Sequence, residues 1–226
     1  MAASPKPSFL RRYTDLPALL HFLRTGAITL LDPKTWDDKN DSHYLSVYKE
    51  NRSLESVLAL CFSQLPETYH HWSVFSRGCA GVCIIFDRSL LLETLNEYEG
   101  IRSGPVKYFA IKSARPRAIR TRELPFLKRV GYKPEGEFRV IFESRDEILP
   151  SLQIPVANAC IRRISLSPWL HSSLSSTTVA TIRSIPGCEQ LHISRSTLIS
   201  NEQWKALAQN AASASLKRSS NVRPYT

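Results

Sequence analysis

Apolar residues are arranged along this chain in short, strand-length runs that alternate with segments of helical periodicity. The runs at 58–62 and 82–86 are wholly apolar, which is typical of buried strands. Strand patterns cover 9–13, 27–31, 56–63, 81–86, 104–110, 136–143, 151–155, 159–165 and 190–194, and helical patterns cover 38–49, 66–76, 88–98, 174–184 and 201–212. Strands and helices in this order, without regular βαβ repetition, predict an α+β fold with a mixed, mostly antiparallel central sheet flanked by helices.

The first helix carries the clearest local signals. Four leucines mark its apolar face: Leu16, Leu19, Leu20 and Leu23. Thr14 or Asp15 is suited to cap its N-terminus, and Pro17 is tolerated in the first turn. Gly26 is expected to end the helix, because glycine readily adopts the left-handed conformation found there.

The chain is predicted to form one domain with two tails. Residues 1–8 are rich in Pro and Ser, and residues 212–226 lack hydrophobic periodicity. Both segments are therefore predicted to be flexible, leaving a single α+β domain at 9–211.

The composition is strongly basic. Thirty Lys and Arg against twenty Asp and Glu give a formal charge of +10. A solvated basic surface accounts for this charge, and so does an anionic partner, namely a nucleic acid, a nucleotide or an acidic protein. The oligomeric state does not follow from the sequence.

No segment resembles a membrane span or a secretory signal. The apolar runs fall far short of the ~20 residues that a spanning helix needs, and residues 1–8 contain no apolar stretch. The five cysteines are an odd number without CxxC spacing, which argues against a disulfide framework. We expect a cytoplasmic protein that does not contact a membrane.

Motifs for several common chemistries are absent from the sequence. There is no Gly-rich phosphate loop of the Rossmann or P-loop type and no GxSxG nucleophile motif. The six histidines do not form HExxH or another zinc-like spacing. We therefore predict no metal site.

Four segments, taken in order, resemble a widespread bacterial family known as domain of unknown function 2971. They are LRRYT at 10–14, WDDKND at 36–41, CFS at 61–63 with Trp72 and GVCIIFD at 81–87, and FLKRVGY at 126–132 followed by EGEFRV at 135–140. The likeness runs from about Phe9 to Leu198. In the second segment, Asp38, Asn40 and Asp41 either cap a helix start or lie at the rim of a cleft. The sequence departs from the family pattern where Ser42 and His43 replace Pro-Phe, and where Phe75 replaces a tyrosine, so no catalytic role is assigned to position 75.

The EGEFR segment places three charged residues close together at the start of a predicted strand. Glu135, Glu137 and Arg139 alternate with Gly and Phe, so on a strand they share one face. Three such charges are costly to bury without partners. They therefore either form an exposed salt-bridged face or line a polar cleft.

The cleft alternative resembles the ADP-ribosyltransferase superfamily. That resemblance implies NAD as the substrate, with Glu137 as the catalytic carboxylate and Glu135 as its Glu-x-Glu companion. It further implies Arg12 or Arg11 as the nucleotide anchor on the first strand and Ser63 as the second-strand serine. Only one serine of the family's Ser-Thr-Ser pattern is present, in the segment CFS.

Three further residues are candidates for contacts with NAD. Tyr13 and Trp72 are able to cover the nicotinamide or adenine ring, and Arg139 follows the two glutamates. Core packing is the alternative for Tyr13, for Trp72 and for Ser63. The resemblance favours an ADP-ribosyltransferase-like enzyme acting as a toxin or defence effector.

A basic segment supports a different function. The segment spans 115–133 and is expected to be partly helical. Its cations are Arg115, Arg117, Arg120, Arg122, Lys128 and Arg129. Clustered cations bind nucleic-acid phosphates, so the first alternative is a nucleic-acid-binding module or nuclease. The second is a non-catalytic domain that binds a nucleotide or a protein.

Overall fold

The computed structural model describes residues 8–76, 78–114 and 119–220. The strands are β1 (Phe9–Asp15), β2 (Ala27–Leu31), β3 (Ser56–Ser63), β4 (Gly81–Asp87), β5 (Ile101–Pro105), β6 (Lys107–Phe109), β7 (Leu127–Arg129), β8 (Glu137–Ser144), β9 (Ser151–Pro155), β10 (Ile161–Leu166) and β11 (Ile193–Arg195). The α-helices are α1 (Leu16–Thr25), α2 (Lys39–Asn51), α3 (Tyr69–Phe75), α4 (Arg88–Asn96), α5 (Ile111–Ala114), α6 (Ser172–Arg183) and α7 (Glu202–Ser220). Short 3₁₀ helices cover Pro33–Thr35, Thr121–Phe126, Val130–Glu135 and Asn158–Cys160.

One nine-stranded sheet organises the described part of the chain. Its order is β11-β10-β4-β1-β3-β2-β9, and β8 pairs with both β3 and β5. Within this nine-stranded sheet β10 and β11 pair in parallel. The other strand pairings described in the same sheet are antiparallel. The predicted fold class, α+β with a mixed, mostly antiparallel central sheet flanked by helices, is confirmed.

The two faces of the sheet are packed differently. Helices α1, α4 and α6 cover one face and bury the larger core with it, including Phe22, Leu91 and Ile182. The other face carries two smaller clusters, one under α2 around Tyr48 and one under α3 around Trp72. This division leaves room for polar side chains between α2 and α3.

Local signals placed the first helix correctly. Asp15 is the N-cap of α1, and its carboxylate accepts a hydrogen bond from Ala18 N at 2.8 Å. Gly26 ends the helix with φ 64° and donates its N–H to Phe22 O. The helix predicted at 66–76 is shorter, because Thr68 caps α3 and its hydroxyl accepts the N–H of His71.

Other boundaries differ from the predictions. The segment 115–133, expected to be partly helical, instead contains β7 between two 3₁₀ helices that include Pro125 and Pro134, residues that cannot donate a helical hydrogen bond. The last helix continues past its predicted end at 212 to Ser220. Residues 1–7 and 221–226 of the predicted tails lie outside the described residues, so the domain limits remain a prediction.

No helix among the described residues combines the length and the apolar character required to cross a membrane.

Gly136 is required by the turn that leads into β8. Its φ of 53° lies in the left-handed region, and a Cβ at this position would come within 2.3 Å of Leu65 Cγ. Gly26 has a similar φ of 64° but nothing within 4 Å of an added Cβ. Substitutions at the two glycines therefore distinguish the effect of backbone strain from the effect of a steric contact.

We expect Gly136→Ala to lower the free energy of unfolding by about 2–3 kcal/mol and Gly26→Ala by about 1–2 kcal/mol, because only the first adds a steric contact to left-handed strain. Urea denaturation of both variants measures the difference. A smaller loss for Gly136→Ala than for Gly26→Ala would show that Leu65 turns away at no cost.

Candidate active site

Strand β3 places two polar side chains opposite the larger core. Its even positions enter that core: Leu58, Leu60 and Phe62. Because successive strand residues point to opposite faces, Cys61 and Ser63 line a cavity on the other face. The register of the sheet pairs Ser63 with Glu137 of β8 and Cys61 with Arg139. The alternation of two neighbouring strands therefore brings a serine and a charged pair together.

Glu135 reaches the same place by another route. The prediction that it lies on the strand is wrong, because it ends the 3₁₀ helix Val130–Glu135 and is separated from β8 by the left-handed Gly136. The alternative of an exposed salt-bridged face is also wrong. Glu135, Glu137 and Arg139 are all buried, and ion pairs compensate their charges.

The cavity opens where β1 and β3 separate. These strands share a single register pair, Arg11 with Ser63. Nη1 of Arg12 donates a hydrogen bond to Cys61 O at 3.2 Å across the gap. Among the described residues, no carboxylate lies within ion-pair distance of Arg12. The Arg12 side chain is half-buried, and desolvation lowers the pKa of its guanidinium. A cation without a carboxylate partner among the described residues therefore borders the cavity.

The cavity has a volume of about 520 Å³, within the range of small-molecule sites. Six of the residues predicted for the NAD site line it: Arg11, Arg12, Tyr13, Ser63, Glu135 and Glu137. Trp36, Asp41, Phe75, Lys128 and Tyr132 complete much of the wall. The structure thus brings the first-strand arginines and the catalytic candidate Glu137 to one cavity.

Arg139 is a buried residue that binds the carboxylates of Glu137 and Asp41. It is 0 % exposed, and its Nε donates to Glu137 Oε1 at 2.7 Å. Its two terminal nitrogens bind both oxygens of Asp41, at 2.9 and 2.6 Å, and Nη1 also donates to Pro125 O. The guanidinium lies over the Trp36 ring at 4.9 Å. Arg139 holds Glu137 in place, and it is fully enclosed and absent from the cavity lining, so the geometry does not support the NAD contact predicted for it.

The environments of the two glutamates act on their pKa values in opposite directions. For Glu137, burial acts to raise the pKa, but the charges of Arg139 and Lys128 outweigh it and lower the pKa to about 2. For Glu135, burial raises the pKa, and the opposing effect of Lys128 is not sufficient to cancel it. Glu137 is therefore an ionised carboxylate across the neutral range.

Ser63 forms a hydrogen bond with the backbone of Glu135. Its hydroxyl donates to Glu135 O at 2.8 Å, accepts from Leu65 N, and lies 3.0 Å from His71 Nε2. Nε2 of His71 is also 3.1 Å from Glu135 O, and Thr68 Oγ1 lies 2.7 Å from Nδ1. These partners place the hydrogen of the neutral imidazole on Nε2. Burial lowers the pKa of His71, which keeps the ring neutral.

Aromatic rings form the wall near β1. Tyr13 stacks on His71 with a centroid separation of 5.1 Å and meets the edge of Trp72 at 5.4 Å. Trp72 is fully buried and donates from Nε1 to Glu67 Oε1 at 2.6 Å. Tyr13 borders the cavity, whereas Trp72 lies behind it as a core residue.

Sequence reasoning missed three residues that build the site. Asp41 was interpreted as part of a helix cap, His71 received no role, and Lys128 was assigned to the basic surface. Lys128 instead lies within 3.5 Å of carboxylate oxygens of Asp41, Glu135 and Glu137. The six-residue acidic segment at 36–41 was a signal for a polar rim, but no pattern in the sequence pairs its last residue with Arg139.

Three other cations of the basic segment form no ion pair with this cluster. Arg120, Arg122 and Arg129 are exposed. Arg115 and Arg117 lie outside the described residues. Lys128 is 10 % exposed and faces carboxylates, so it does not extend the exposed arginine surface.

Comparisons with known proteins give no family assignment. No family model matches the chain, so membership in domain of unknown function 2971 remains a prediction. No curated protein matches it either.

Solved structures of Thermus sp. 2.9 DarT are similar to this chain at a low level. The complex with ADP-ribosylated ssDNA has a TM-score of 0.46 at 10 % identity, covering 86 % of this chain and 97 % of that one. The NAD⁺ complex has a TM-score of 0.46 at 9 % identity, covering 86 % and 98 %, and the carba-NAD⁺ complex has 0.44 at 9 %, covering 85 % and 97 %. Because these TM-scores are below 0.5, the function proposed next rests on the geometry of the site itself.

Proposed function

We propose that this chain is an NAD-dependent ADP-ribosyltransferase with Glu137 as its catalytic carboxylate. One observation carries the proposal: the cavity of about 520 Å³ is bordered both by an ionised, buried glutamate and by Arg12, a half-buried guanidinium without a carboxylate partner among the described residues. NAD offers the complementary groups, a pyrophosphate for the cation and a ribose for the carboxylate.

The chemistry suits the charge of Glu137. Cleavage of the bond between nicotinamide nitrogen and ribose C1′ leaves the electron pair on nicotinamide, which departs neutral, and moves positive charge to the ribose ring. A fixed carboxylate stabilises that charge, as in glycoside hydrolysis. The acceptor then attacks C1′ and loses a proton. Glu137 needs no reorientation for this role, because Arg139 Nε already holds Oε1 at 2.7 Å.

The other predicted residues take supporting roles in this proposal. Arg12, with Arg11 as the alternative, anchors the pyrophosphate by charge-assisted hydrogen bonds. Tyr13 offers an aromatic wall to a ring of the substrate. Ser63 and His71 keep Glu135 in position through its backbone carbonyl, so Ser63 contributes indirectly.

The proposal is tested by nicotinamide release from NAD. Purified protein is incubated with NAD and with cell extract that supplies acceptors, and nicotinamide is measured by chromatography. A toxin or defence effector is expected to release nicotinamide. It is also expected to transfer label from NAD that is labelled in its ADP-ribose part to a macromolecule of the extract. Binding of NAD without release would instead favour a non-catalytic nucleotide-binding domain.

Arg12→Met should weaken NAD binding about 10–100-fold, because a charge-assisted hydrogen bond contributes about 1.5–3 kcal/mol. Calorimetric titration with NAD measures this, in a Glu137→Gln background that prevents turnover. Arg11→Met is the matched comparison, since Arg11 is the neighbouring cavity residue, and the exposed Arg24→Met is the control. A larger loss from Arg11→Met would transfer the anchor role to Arg11, and no loss from either would contradict the pyrophosphate contact.

Nucleic-acid binding is the second candidate, and it is favoured by the exposed side chains of Arg120, Arg122 and Arg129. This function predicts single-stranded DNA or RNA binding that falls steeply with salt. Fluorescence anisotropy between 50 and 200 mM salt, roughly the range over which such contacts weaken most, tests it. Binding that survives Glu137→Gln while nicotinamide release is absent would make nucleic-acid binding the main function.

A further inference from the structure

Lys128 occupies the centre of an acidic cluster whose members come from three elements. Its Nζ lies 2.8 Å from Glu135 Oε2, 3.2 Å from Glu137 Oε2 and 3.5 Å from Asp41 Oδ2. The ammonium also lies 4.8 Å from the Tyr132 ring centroid. One side chain of β7 therefore contacts the start of α2, the 3₁₀ helix Val130–Glu135 and β8.

The two cations of the cluster share Asp41 and Glu137 as partners but differ at Glu135. Arg139 binds Asp41 through its terminal nitrogens and Glu137 through Nε. Among the described residues, the ion pair of Glu135 is formed with Lys128 alone. Lys128 is thus the link that holds Glu135 beside Glu137.

Loss of the Lys128 charge would leave the carboxylates of the cluster insufficiently compensated. Three carboxylates and two cations give it a net charge of −1, and removing Lys128 leaves −2 around buried groups. Buried charge without compensation is relieved by uptake of a proton. Glu135 is the expected site of that proton, because Asp41 keeps both contacts to Arg139, at 2.9 and 2.6 Å.

We propose that Lys128 is a positioning residue that keeps Glu135 and Glu137 ionised side by side, with Glu137 ready to face the ribose. Only the statement that Glu137 faces the ribose rests on the proposed function. The titratable and charged groups that surround this trio are Asp38, Asp41, Cys61, Tyr108, Tyr132 and Arg139.

The test is a titration of glutamate side-chain carboxyls by ¹³C NMR in the full chain, with Glu135→Gln and Glu137→Gln used to assign the two signals. In Lys128→Met we expect one of the two carboxyls to protonate at least about one pH unit higher than in the wild type, since a nearby opposite charge shifts a carboxyl by about 1–3 units. Lys128→Arg should restore the wild-type titration. Unchanged titration of both carboxyls in folded Lys128→Met would overturn the proposal.

A second pair of variants covers the case in which Lys128→Met does not fold. Glu135→Gln with Lys128→Met returns the cluster to a net charge of −1, and it is compared with Glu135→Gln alone. Glu137 should protonate at higher pH in the double variant, and identical titrations would again overturn the proposal.

The activity assay then separates this inference from the function itself. If the wild type releases nicotinamide, the acidic limb of its pH profile should move upward in Lys128→Met and return in Lys128→Arg, whereas a general structural defect would lower the rate equally at every pH. If the wild type releases none, the proposed function fails, and the NMR titration still decides the role of Lys128.

Discussion

Glu137→Gln should reduce nicotinamide release by about 10²–10⁴-fold, the range found for the loss of a positioned catalytic group. The reason is electrostatic, since the amide keeps the shape of the side chain but has no charge to stabilise the developing ribosyl cation. The amide oxygen is still able to accept from Arg139 Nε, so the fold and NAD binding should be retained.

Two companion variants make that measurement specific. Glu135→Gln should have a smaller effect, about tenfold, because Glu135 acts beside the reacting group rather than on it. Glu93→Gln, at an exposed position of α4, should leave the rate unchanged. Equal rates for the wild type and Glu137→Gln would exclude Glu137 as the catalytic carboxylate and leave Glu135, the other glutamate of the cavity wall, as the candidate to test.

Arg139→Met should lower the free energy of unfolding by about 3–5 kcal/mol, the cost of breaking a buried ion pair by removing one partner. Asp41 would retain only the 3.5 Å contact with Lys128, and Pro125 O would lose its donor. Since a domain of this kind is stable by about 5–15 kcal/mol in total, thermal and urea unfolding should both show a large shift.

The control for that prediction removes the partner as well. Asp41→Asn combined with Arg139→Met leaves a neutral amide where a buried carboxylate stood, so the double variant should recover part of the lost stability. The exposed Arg24→Met should change the free energy of unfolding by less than about 0.5 kcal/mol. A loss below about 1 kcal/mol for Arg139→Met would mean that water or a shifted Lys128 compensates the carboxylates.

The pH dependence of stability follows from the same cluster. The pKa of Glu137 is about 2 in the folded protein, below its ordinary value, so its contribution is present above the unfolded pKa. That contribution is lost as the pH falls from about 4.5 toward 2. Glu137→Gln should therefore lessen the loss of stability across this acidic window.

Local signals in the sequence were sufficient for much of the fold. The leucine spacing, Asp15 and Gly26 define α1, and the apolar runs define β3 and β4, because caps and periodicity act between residues that are near in the chain. The two glutamates were also recognisable, because charged residues in strand patterns need partners or a cleft, whereas Arg12 was suggested only by the resemblance to ADP-ribosyltransferases. The segment 115–133 was misjudged, since Pro125 and Pro134 favour 3₁₀ turns there over an α-helix.

Only the tertiary structure decided how the site is assembled. The register of β3 with β8 places Ser63 opposite Glu137, and the separation of β1 from β3 creates the cavity beside Arg12. Lys128 and Arg139 turned out to lie among three carboxylates, of which Asp41 comes from a distant part of the chain. The sequence by itself determined which residues carry charge and which elements they lie on. Which charges meet is set by contacts across the sheet, where packing fixes distances that no local pattern encodes.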